Sequence, residues 1–273
     1  MRSETFPRIG LALSGGAARG MAHVGVLQAL IENDIRIDCI AGTSAGSMVG
    51  GAYASGMSLE EIRGFGRTLR WRDVGRVTMS RLGIQSNERL EQYLRARLPV
   101  TKFEELKIPF AAVATELKTG AAVVMRDEGD VPFAIRASCA IPGWYVPVAD
   151  ENGRQLVDGG LVAVVPSTMA RSLGADIVIA VDVNSEGATF IGPTSSVIGV
   201  LLQSLMVVQK MASHYQREMA DLIINPKVGH IRWDEMGRAD ELMAAGYDAG
   251  LKKIPDIRAL IDSVSQHQTQ MLA

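Results

Sequence analysis

Gly42-Thr43-Ser44-Ala45-Gly46 separates an apolar run, Ile37–Ala41, from an uncharged stretch of helical character. The five residues match G-x-S-x-G, the pattern of a sharp strand-to-helix turn that exposes a serine hydroxyl at the end of a strand. Such a turn strains the serine backbone, and only small neighbours let the strand and the helix approach that closely. The N-terminus of the following helix presents amides and a partial positive charge that favour an anion. We therefore expect Ser44 to be a nucleophile on an elbow formed by Gly42, Thr43, Ala45 and Gly46.

A second turn, rich in glycine, lies one helix earlier in the chain. Ile9–Leu13 is an apolar run typical of a buried strand, and it leads into Ser14-Gly15-Gly16-Ala17-Ala18-Arg19-Gly20. A loop of this kind exposes several backbone N–H groups at one point, as an oxyanion or a phosphate requires. A dinucleotide-binding fingerprint is disfavoured, because Ala17 stands where the second glycine of G-x-G-x-x-G belongs. In addition, Asp38 precedes the next strand, whereas the carboxylate that binds a ribose stands at the end of that strand.

The order of the elements predicts the fold class. The first fifty residues read strand–loop–helix–strand–turn–helix, which implies right-handed crossovers and a mostly parallel sheet in an α/β fold. Asp176–Asp182 holds only Ile, Val and Ala between its aspartates, as expected of a central strand buried on both faces. Ser58 and Glu61 form the capping-box signal of a helix start. Further strands are predicted at Pro109–Thr115, Ala121–Met125 and Leu222–Pro226, and helical segments at 63–98, Ser196–Ala220 and Ile254–Val264.

A nucleophilic serine needs a base, for which the four histidines and the many carboxylates are candidates, and one carboxylate follows a third apolar segment. Leu156–Val157 leads into Asp158-Gly159-Gly160. Aspartate is a weak base with a reference pKa of about 3.9, so it must be partly desolvated to assist a serine at neutral pH. An aspartate that serves as the base is therefore expected to be semi-buried and within hydrogen-bond reach of Ser44. A Ser–His–Asp triad is disfavoured, because none of the four histidines follows a glycine-rich loop at a strand end. They are His23, His214, His230 and His267.

The three motifs, in this order and at this spacing, resemble those of patatin-like phospholipases, and most of all the small bacterial members. Connecting segments agree as well: His23-Val24-Gly25-Val26-Leu27, the stretch Ala137–Gly143, and Gly174-Ala175-Asp176. The resemblance covers roughly residues 8 to 226. It implies a three-layer α/β/α sandwich around a mostly parallel mixed sheet. It also implies a catalytic domain at 8–226, and we expect residues 227–273 to form a helical extension packed on the same domain.

The resemblance further implies a serine acyl hydrolase, a lipid esterase or phospholipase A-type enzyme that works through an acyl-enzyme. Ser44 would attack the ester, and Asp158, in its loop with Gly159 and Gly160, would take the proton. The implied oxyanion loop comprises Gly15, Gly16, Ala17, Arg19 and Gly20, with amides of the first three as donors. The chain departs from the family at Ala17, where the family loop has a glycine, and alanine is disfavoured at positive φ. Two alternatives stay open: an acyltransferase using the same elbow, and a regulatory or adaptor protein with incidental hydrolysis.

Composition bounds the partners and the location. The 273 residues are 47% hydrophobic and 21% charged with a net charge of -2, so a nucleic-acid partner, which needs a basic stripe, is disfavoured. The hydrolase chemistry requires no cofactor or metal. The N-terminal apolar run is too short for a signal peptide, which predicts a cytoplasmic protein, at most peripheral to the inner face of the membrane. Val197–Val208 could cover the active site, contact a second subunit in a homo-oligomer or contact lipid.

Overall fold

The computed structural model describes residues 6–185 and 197–271, which form two sheets with helices around them. The strands are β1 (Ile9–Leu13), β2 (Cys39–Thr43), β3 (Arg76–Val77), β4 (Gly83–Ser86), β5 (Phe110–Glu116), β6 (Ala122–Met125), β7 (Gly143–Tyr145), β8 (Val148–Ala149), β9 (Gln155–Asp158), β10 (Ile177–Val181) and β11 (Leu222–Ile224). The helices are α1 (Met21–Glu32), α2 (Ala45–Ala54), α3 (Leu59–Thr68), α4 (Trp71–Val74), α5 (Glu88–Arg95), α6 (Val131–Ser138), α7 (Ser167–Ser172), α8 (Val197–Glu218) and α9 (Ala239–Met271). Short 3-10 turns at Ala17–Gly20 and Gly159–Leu161 follow β1 and β9.

The large sheet is mixed but mostly parallel. Its order is β11-β10-β1-β2-β5-β9-β8, with β6 also paired to β5. From β11 to β5 every neighbouring pair is parallel, whereas β5 pairs antiparallel with β6 and β9, and β9 pairs antiparallel with β8. Helices pack on both faces, so the predicted three-layer α/β/α arrangement around a mostly parallel mixed sheet is confirmed.

The two faces of the sheet carry side chains of different size. Because successive residues of a strand point to opposite faces, the alternation along β1 and β2 sorts large from small side chains. Leu11, Leu13 and Ile40 pack in the larger core with α1, α2 and α9. Ala12 and Ala41 belong to a second cluster, which includes the residues of α7 and the small side chains of β10. The alanines let α7 lie close to the sheet.

Two segments differ from the prediction. The stretch 63–98, predicted to be helical, also contains β3 and β4, and β4 pairs with β7 in a small three-stranded sheet. That pairing joins positions about 60 residues apart, so no local sequence pattern predicts it. The last helix begins at Ala239, well before the predicted start at Ile254, and continues through Pro255. Its packing along α1 sustains the helix across the proline.

Several predicted elements are confirmed within one or two residues. β1 coincides with Ile9–Leu13, and the five residues of β10 are all buried. Ser58 and Glu61 form the expected capping box at the start of α3. The predicted helix at 196–220 corresponds to α8, although Ser196 itself lies outside the described residues. In residues 6–185 and 197–271 no helix is both long and apolar enough to cross a bilayer.

Candidate active site

Ser44 lies in a strained turn between β2 and α2. Its backbone has φ 52° and ψ −121°, in a region that L residues rarely adopt, and such strain tends to occur at functional sites. The turn has no room for larger neighbours. A Cβ added to Gly42 would lie 2.6 Å from the Cα of Ser47, and one added to Gly46 would lie 2.6 Å from the carbonyl carbon of Leu13. Ser44 itself is 7% exposed.

The side chain of Ser138, at the end of α6, holds this turn in place. The Ser44 N–H donates to Ser138 Oγ over 2.8 Å, and the Ser138 hydroxyl donates to the Val113 carbonyl of β5 over 2.6 Å. Ser138 is fully buried, so both bonds are shielded from water. Sequence reasoning missed its role, because Ser138 is 94 positions from Ser44 and no motif links them.

Replacing Ser138 by alanine is expected to lower both stability and activity. The change leaves the Ser44 N–H and the Val113 carbonyl without their buried partner, at a cost of about 1–3 kcal/mol in the free energy of unfolding. A relaxed turn misplaces the Ser44 hydroxyl, and we expect kcat/KM for a short-chain ester to fall about 10-fold to 100-fold.

The matched control is Ser55→Ala, because Ser55 is equally buried and its hydroxyl donates only to the Ala52 carbonyl, 2.7 Å away. Thermal unfolding and ester hydrolysis are measured for both variants, with rates normalised to folded protein. Both should lose stability, and only Ser138→Ala should lose activity. Equal activities in the two variants would show that Ser138 does not position the nucleophile.

Sheet register brings Asp158 beside the elbow. Thr43 at the end of β2 pairs with Val113, and the next residue of β5, Ala114, pairs with Asp158 at the end of β9. Ser44 and Asp158 therefore lie at one level on either side of β5. Asp158 is 5% exposed, and its Oδ1 accepts the Gly160 N–H over 2.7 Å.

Burial is the main influence on the carboxyl group of Asp158. It raises the pKa of Asp158 from 3.8 to about 6, against the opposing effect of the hydrogen bonds from Ser44 and Gly160. The cause is desolvation, which disfavours the charged form. A carboxylate with this pKa is largely ionised at neutral pH and is a stronger base than an exposed aspartate.

The glycine-rich loop presents two unengaged amides. Within the described chain, the N–H groups of Gly16 and Ala17 donate to no protein acceptor, and both residues line the cavity beside Ser44. Ala17 adopts φ 47°, so the alanine takes up the left-handed conformation that the glycine of related loops would reach without strain. The alanine therefore stands at a position where its backbone is strained.

Three other residues of the predicted oxyanion loop serve different contacts. The Gly15 N–H donates to the Val164 carbonyl over 3.0 Å, so its expected role as an oxyanion donor is corrected. Gly20 packs against Ala45, where a Cβ would collide. The buried guanidinium of Arg19 donates to the Ile231 carbonyl over 2.6 Å and to the Gly229 carbonyl over 3.2 Å. Arg19 thus ties the loop to the segment before α9.

The loop is braced from a second side by residues after β10. The Asn184 side chain donates to the Gly15 carbonyl over 2.7 Å, and Asp182 Oδ1 accepts the Asn184 N–H over 2.9 Å. Asp182 is fully buried, and its other carboxylate oxygen lies 3.6 Å from the Arg217 guanidinium of α8. These contacts make Asp182 a support of the loop.

The described histidines lie away from the nucleophile. His23 is fully buried, its Nε2 is 2.8 Å from the Ser14 carbonyl, and burial lowers its pKa to about 4. It is neutral at physiological pH and supports the loop. His214 and His230 lie beside Glu218 and Glu241 on the surface, and no histidine among the described residues lines the cavity that contains Ser44. The same residues contain no cluster of side chains that could hold a metal ion.

One cavity brings the three motifs together. Ser44, Asp158 and Gly160 line it with Gly16 and Ala17 of the glycine-rich loop. Its remaining walls include Asn184 and one side of α8, where Leu202, Met206, Gln209 and Lys210 lie. A hydroxyl, a buried carboxylate and two available amides thus border one space, an arrangement suited to nucleophilic attack on a carbonyl.

Comparisons with known proteins concern the family and the fold of the chain. The family model for patatin-like phospholipases matches residues 11–171, more than half of the chain. In a search of solved structures, VipD from Legionella pneumophila superposes with a TM-score of 0.56 and 14% identity, over 95% of this chain and 67% of that one. At that identity the likeness concerns the fold alone.

Curated relatives share more sequence. An uncharacterized NTE family protein of Mycobacterium bovis is 39% identical over 191 residues, which are 69% of this chain and 52% of the relative. A lysophospholipase of Mycosarcoma maydis is 37% identical over 185 residues, which are 65% of this chain and 10% of the relative. The chain therefore spans about half the length of the first of these relatives and a smaller part of the second. On the family model and the identity of these relatives, the chain belongs to the patatin-like phospholipase family.

Proposed function

We propose that this chain is a lipid acyl hydrolase, with Ser44 as nucleophile and Asp158 as general base. The observation that carries the proposal is the cavity in which a strained serine, a buried carboxylate and the free amides of Gly16 and Ala17 face one space. A relative named as a lysophospholipase supports a lipid ester as substrate. This chemistry needs no metal or cofactor.

In the acylation half, Ser44 Oγ attacks the carbonyl carbon of the ester, and its proton passes to the Asp158 carboxylate. The carbonyl oxygen becomes an oxyanion that accepts hydrogen bonds from the Gly16 and Ala17 amides. When the tetrahedral intermediate collapses, the bond from carbon to the alcohol oxygen breaks. Asp158 then gives its proton to that oxygen, so that the alcohol leaves neutral and the acyl-enzyme remains.

In the deacylation half, a water molecule takes the place of the alcohol. Asp158, ionised again, accepts one proton from the water as its oxygen attacks the acyl carbon. The same amides receive the oxyanion. Collapse breaks the bond to Ser44 Oγ, the proton on Asp158 returns to that oxygen, and a fatty acid is released. Each half uses the carboxylate once as base and once as acid, which suits a pKa of about 6.

The proposal is tested by trapping the nucleophile. Wild-type protein is incubated with a fluorophosphonate, and the labelled peptide is identified by mass spectrometry, in parallel with hydrolysis of nitrophenyl butyrate. We expect one label, on Ser44, and a matching loss of esterase activity. Labelling elsewhere, or none together with no hydrolysis, would overturn the proposal. Product analysis with an added alcohol separates hydrolysis from acyl transfer.

We also propose that α8 contacts the surface of a lipid bilayer. One side of this helix lines the cavity of Ser44, whereas its other side exposes a row of apolar residues: Val197, Val200, Leu201, Val207, Val208 and Met211. An exposed apolar row next to the site of a lipid substrate is typical of an interfacial helix. Leu201 and Val208 are more than half exposed and lie two turns apart on one face.

Leu201→Glu is expected to weaken binding to phospholipid vesicles. Removing one leucine from the interface costs about 1.5–3 kcal/mol, which corresponds to roughly 10-fold to 100-fold in the partition coefficient. Met79→Glu is the matched control, because Met79 is fully exposed on the turn between β3 and β4. Vesicle co-sedimentation measures both variants.

Two outcomes speak against the membrane contact. Wild-type protein that does not sediment with the vesicles would exclude it, as would equal losses in Leu201→Glu and Met79→Glu. Sedimentation velocity is run on the same samples. A change of oligomeric state in Leu201→Glu without a change in vesicle binding would assign this face to a second copy of the chain.

A further inference from the structure

A second cavity opens on the other side of Ser44. Ser44, Ala17 and Ile141 line both cavities, so the nucleophile stands at the point where the two meet. The second cavity is formed by residues of α1, α2, α4 and α5 together with the segment before α9. Its walls are apolar side chains, among them Met21, Met48, Leu69, Val74, Leu90 and Met236. We call it the apolar cavity.

The first cavity also has apolar residues in its wall, such as Val164, Leu202 and Met206, but it contains many more polar groups than the apolar cavity. Six polar side chains besides Ser44 border it: Arg19, Asp158, Asn184, Gln209, Lys210 and Ser213. None of these six lines the apolar cavity. We call the first space the polar cavity. The two spaces differ most in the position of Asp158, which faces only the polar one.

We propose that the acyl chain of the substrate lies in the apolar cavity and that its alcohol part lies in the polar cavity. The assignment rests on the proposed function and names its substrate: an ester of one long acyl chain with a compact polar alcohol. Ser44 then attacks the carbonyl at the junction of the two spaces.

The position of the general acid supports this orientation. Asp158 has to give a proton to the oxygen of the leaving alcohol and later to take one from water. Both oxygens must therefore approach from the side on which Asp158 is exposed, and that side is the polar cavity. The acyl part, which stays bound to Ser44 while the alcohol leaves and water enters, must extend the other way.

Desolvation supports the same orientation. A hydrocarbon chain has no groups to satisfy polar walls, and each methylene that it buries between apolar walls strengthens binding. Rates should therefore rise about fourfold for each added methylene of the acyl chain, until the apolar cavity is full. Glycerol-like or phosphate-bearing alcohols carry hydroxyl groups and charge, which the amides and the ammonium group of the polar cavity can bind.

The test uses two series of esters and the same substitution in each cavity. One series varies the acyl chain of nitrophenyl esters from butanoyl to hexadecanoyl. The other keeps the butanoyl group and varies the alcohol from methanol to octanol. Leu90→Trp fills the apolar cavity, Leu205→Trp on α8 fills the polar one, and Leu251→Trp on the exposed face of α9 controls for the substitution itself.

The readout is the ratio of kcat/KM for long and short members of each series. We expect Leu90→Trp to lower the decanoyl-to-butanoyl ratio at least tenfold and to leave the alcohol ratio within twofold of wild type. Leu205→Trp should do the reverse, and Leu251→Trp should change neither ratio. Equal effects of the two cavity variants on both series, or the opposite pairing, would overturn the assignment.

Leu90 is deeply buried, so Leu90→Trp could prevent folding. A second variant, which widens the apolar cavity, tests the assignment in that event. Leu90→Ala should shift the preferred acyl chain to a longer one, and an unchanged preference would overturn the assignment. The outcome is distinct from failure of the proposed function. If that proposal is wrong, wild-type protein hydrolyses no member of either series and Ser44 takes up no fluorophosphonate.

Discussion

Ser44→Ala is expected to lower kcat for ester hydrolysis by about 10⁴-fold or more and to abolish fluorophosphonate labelling. The reason is that the acyl-enzyme cannot form without the hydroxyl group, and alanine offers no other nucleophile. The remaining amides and cavities can still bind substrate, so KM should change less than kcat. Ester hydrolysis at saturating substrate and in-gel labelling measure the two effects.

Ser55→Ala serves as the control for Ser44→Ala. Ser55 is a buried serine at the opposite end of α2, and its loss should leave labelling intact. Circular dichroism checks that both variants are folded. Residual labelling of Ser44→Ala at the wild-type rate would assign the reaction to another residue and would end the proposed mechanism.

Asp158→Asn is expected to lower kcat about 10²-fold to 10⁴-fold, because asparagine cannot take the proton from Ser44. Its amide oxygen can still accept the Gly160 N–H, so the loop should keep its conformation. In the wild type, the pKa of Asp158 is about 6, so kcat/KM should fall as the pH drops below about 6. The residual activity of Asp158→Asn should lack this acidic limb. The dependence of kcat/KM on pH is measured for both proteins. An acidic limb that persists in Asp158→Asn would mean that another group causes it.

The same substitution should stabilise the fold. Because burial raises the pKa of Asp158 from 3.8 to about 6, the folded state binds this proton more tightly than the unfolded chain does. The associated stability is present below about pH 4 and is lost as the pH rises through about 6. Each pKa unit corresponds to about 1.4 kcal/mol, so the loss amounts to about 3 kcal/mol. Asp158→Asn should not lose this stability as the pH rises, because asparagine does not ionise.

Urea unfolding at pH 4.5 and at pH 7.5 measures this effect. The gain in the free energy of unfolding from Asp158→Asn should be larger at pH 7.5 than at pH 4.5, and Asp248→Asn on the surface of α9 supplies the control. A gain that is equal at both pH values would mean that the ionisation of Asp158 does not oppose folding. Stability and activity are expected to change in opposite directions at this one position.

The sequence could predict those parts of the site that depend on a few neighbouring residues. The elbow around Ser44 and the loop at Gly15–Gly20 are turns, and their small residues predict the backbone conformation. Asp158 could be placed beside Ser44 only through the order of the three motifs, since the register of β9 on β5 is invisible in any short stretch. The resemblance to patatin-like phospholipases gave that order its meaning, and the family match confirms the resemblance itself.

What could not be predicted depends on distant contacts. Ser138 reaches the elbow from α6, and β4 finds its partner β7 about 60 residues later. The Gly15 amide was expected to face the oxyanion, but the Val164 carbonyl takes it. The last helix was predicted to begin at Ile254, whereas α9 begins at Ala239 and its packing on α1 carries the helix through Pro255. The division of the chain at residue 226 remains a prediction.

The unequal faces of the sheet bear on how this scaffold can diversify. On the side of α7, alanines such as Ala12 and Ala41 already represent the smallest side chains that a strand can carry, so shortening them further creates no useful space. On the side of α1 and α2, the core contains larger side chains such as Met48 of α2 and Leu90 of α5, which line the apolar cavity. New binding volume can therefore arise there by trimming one side chain at a time, without disturbing the opposite layer.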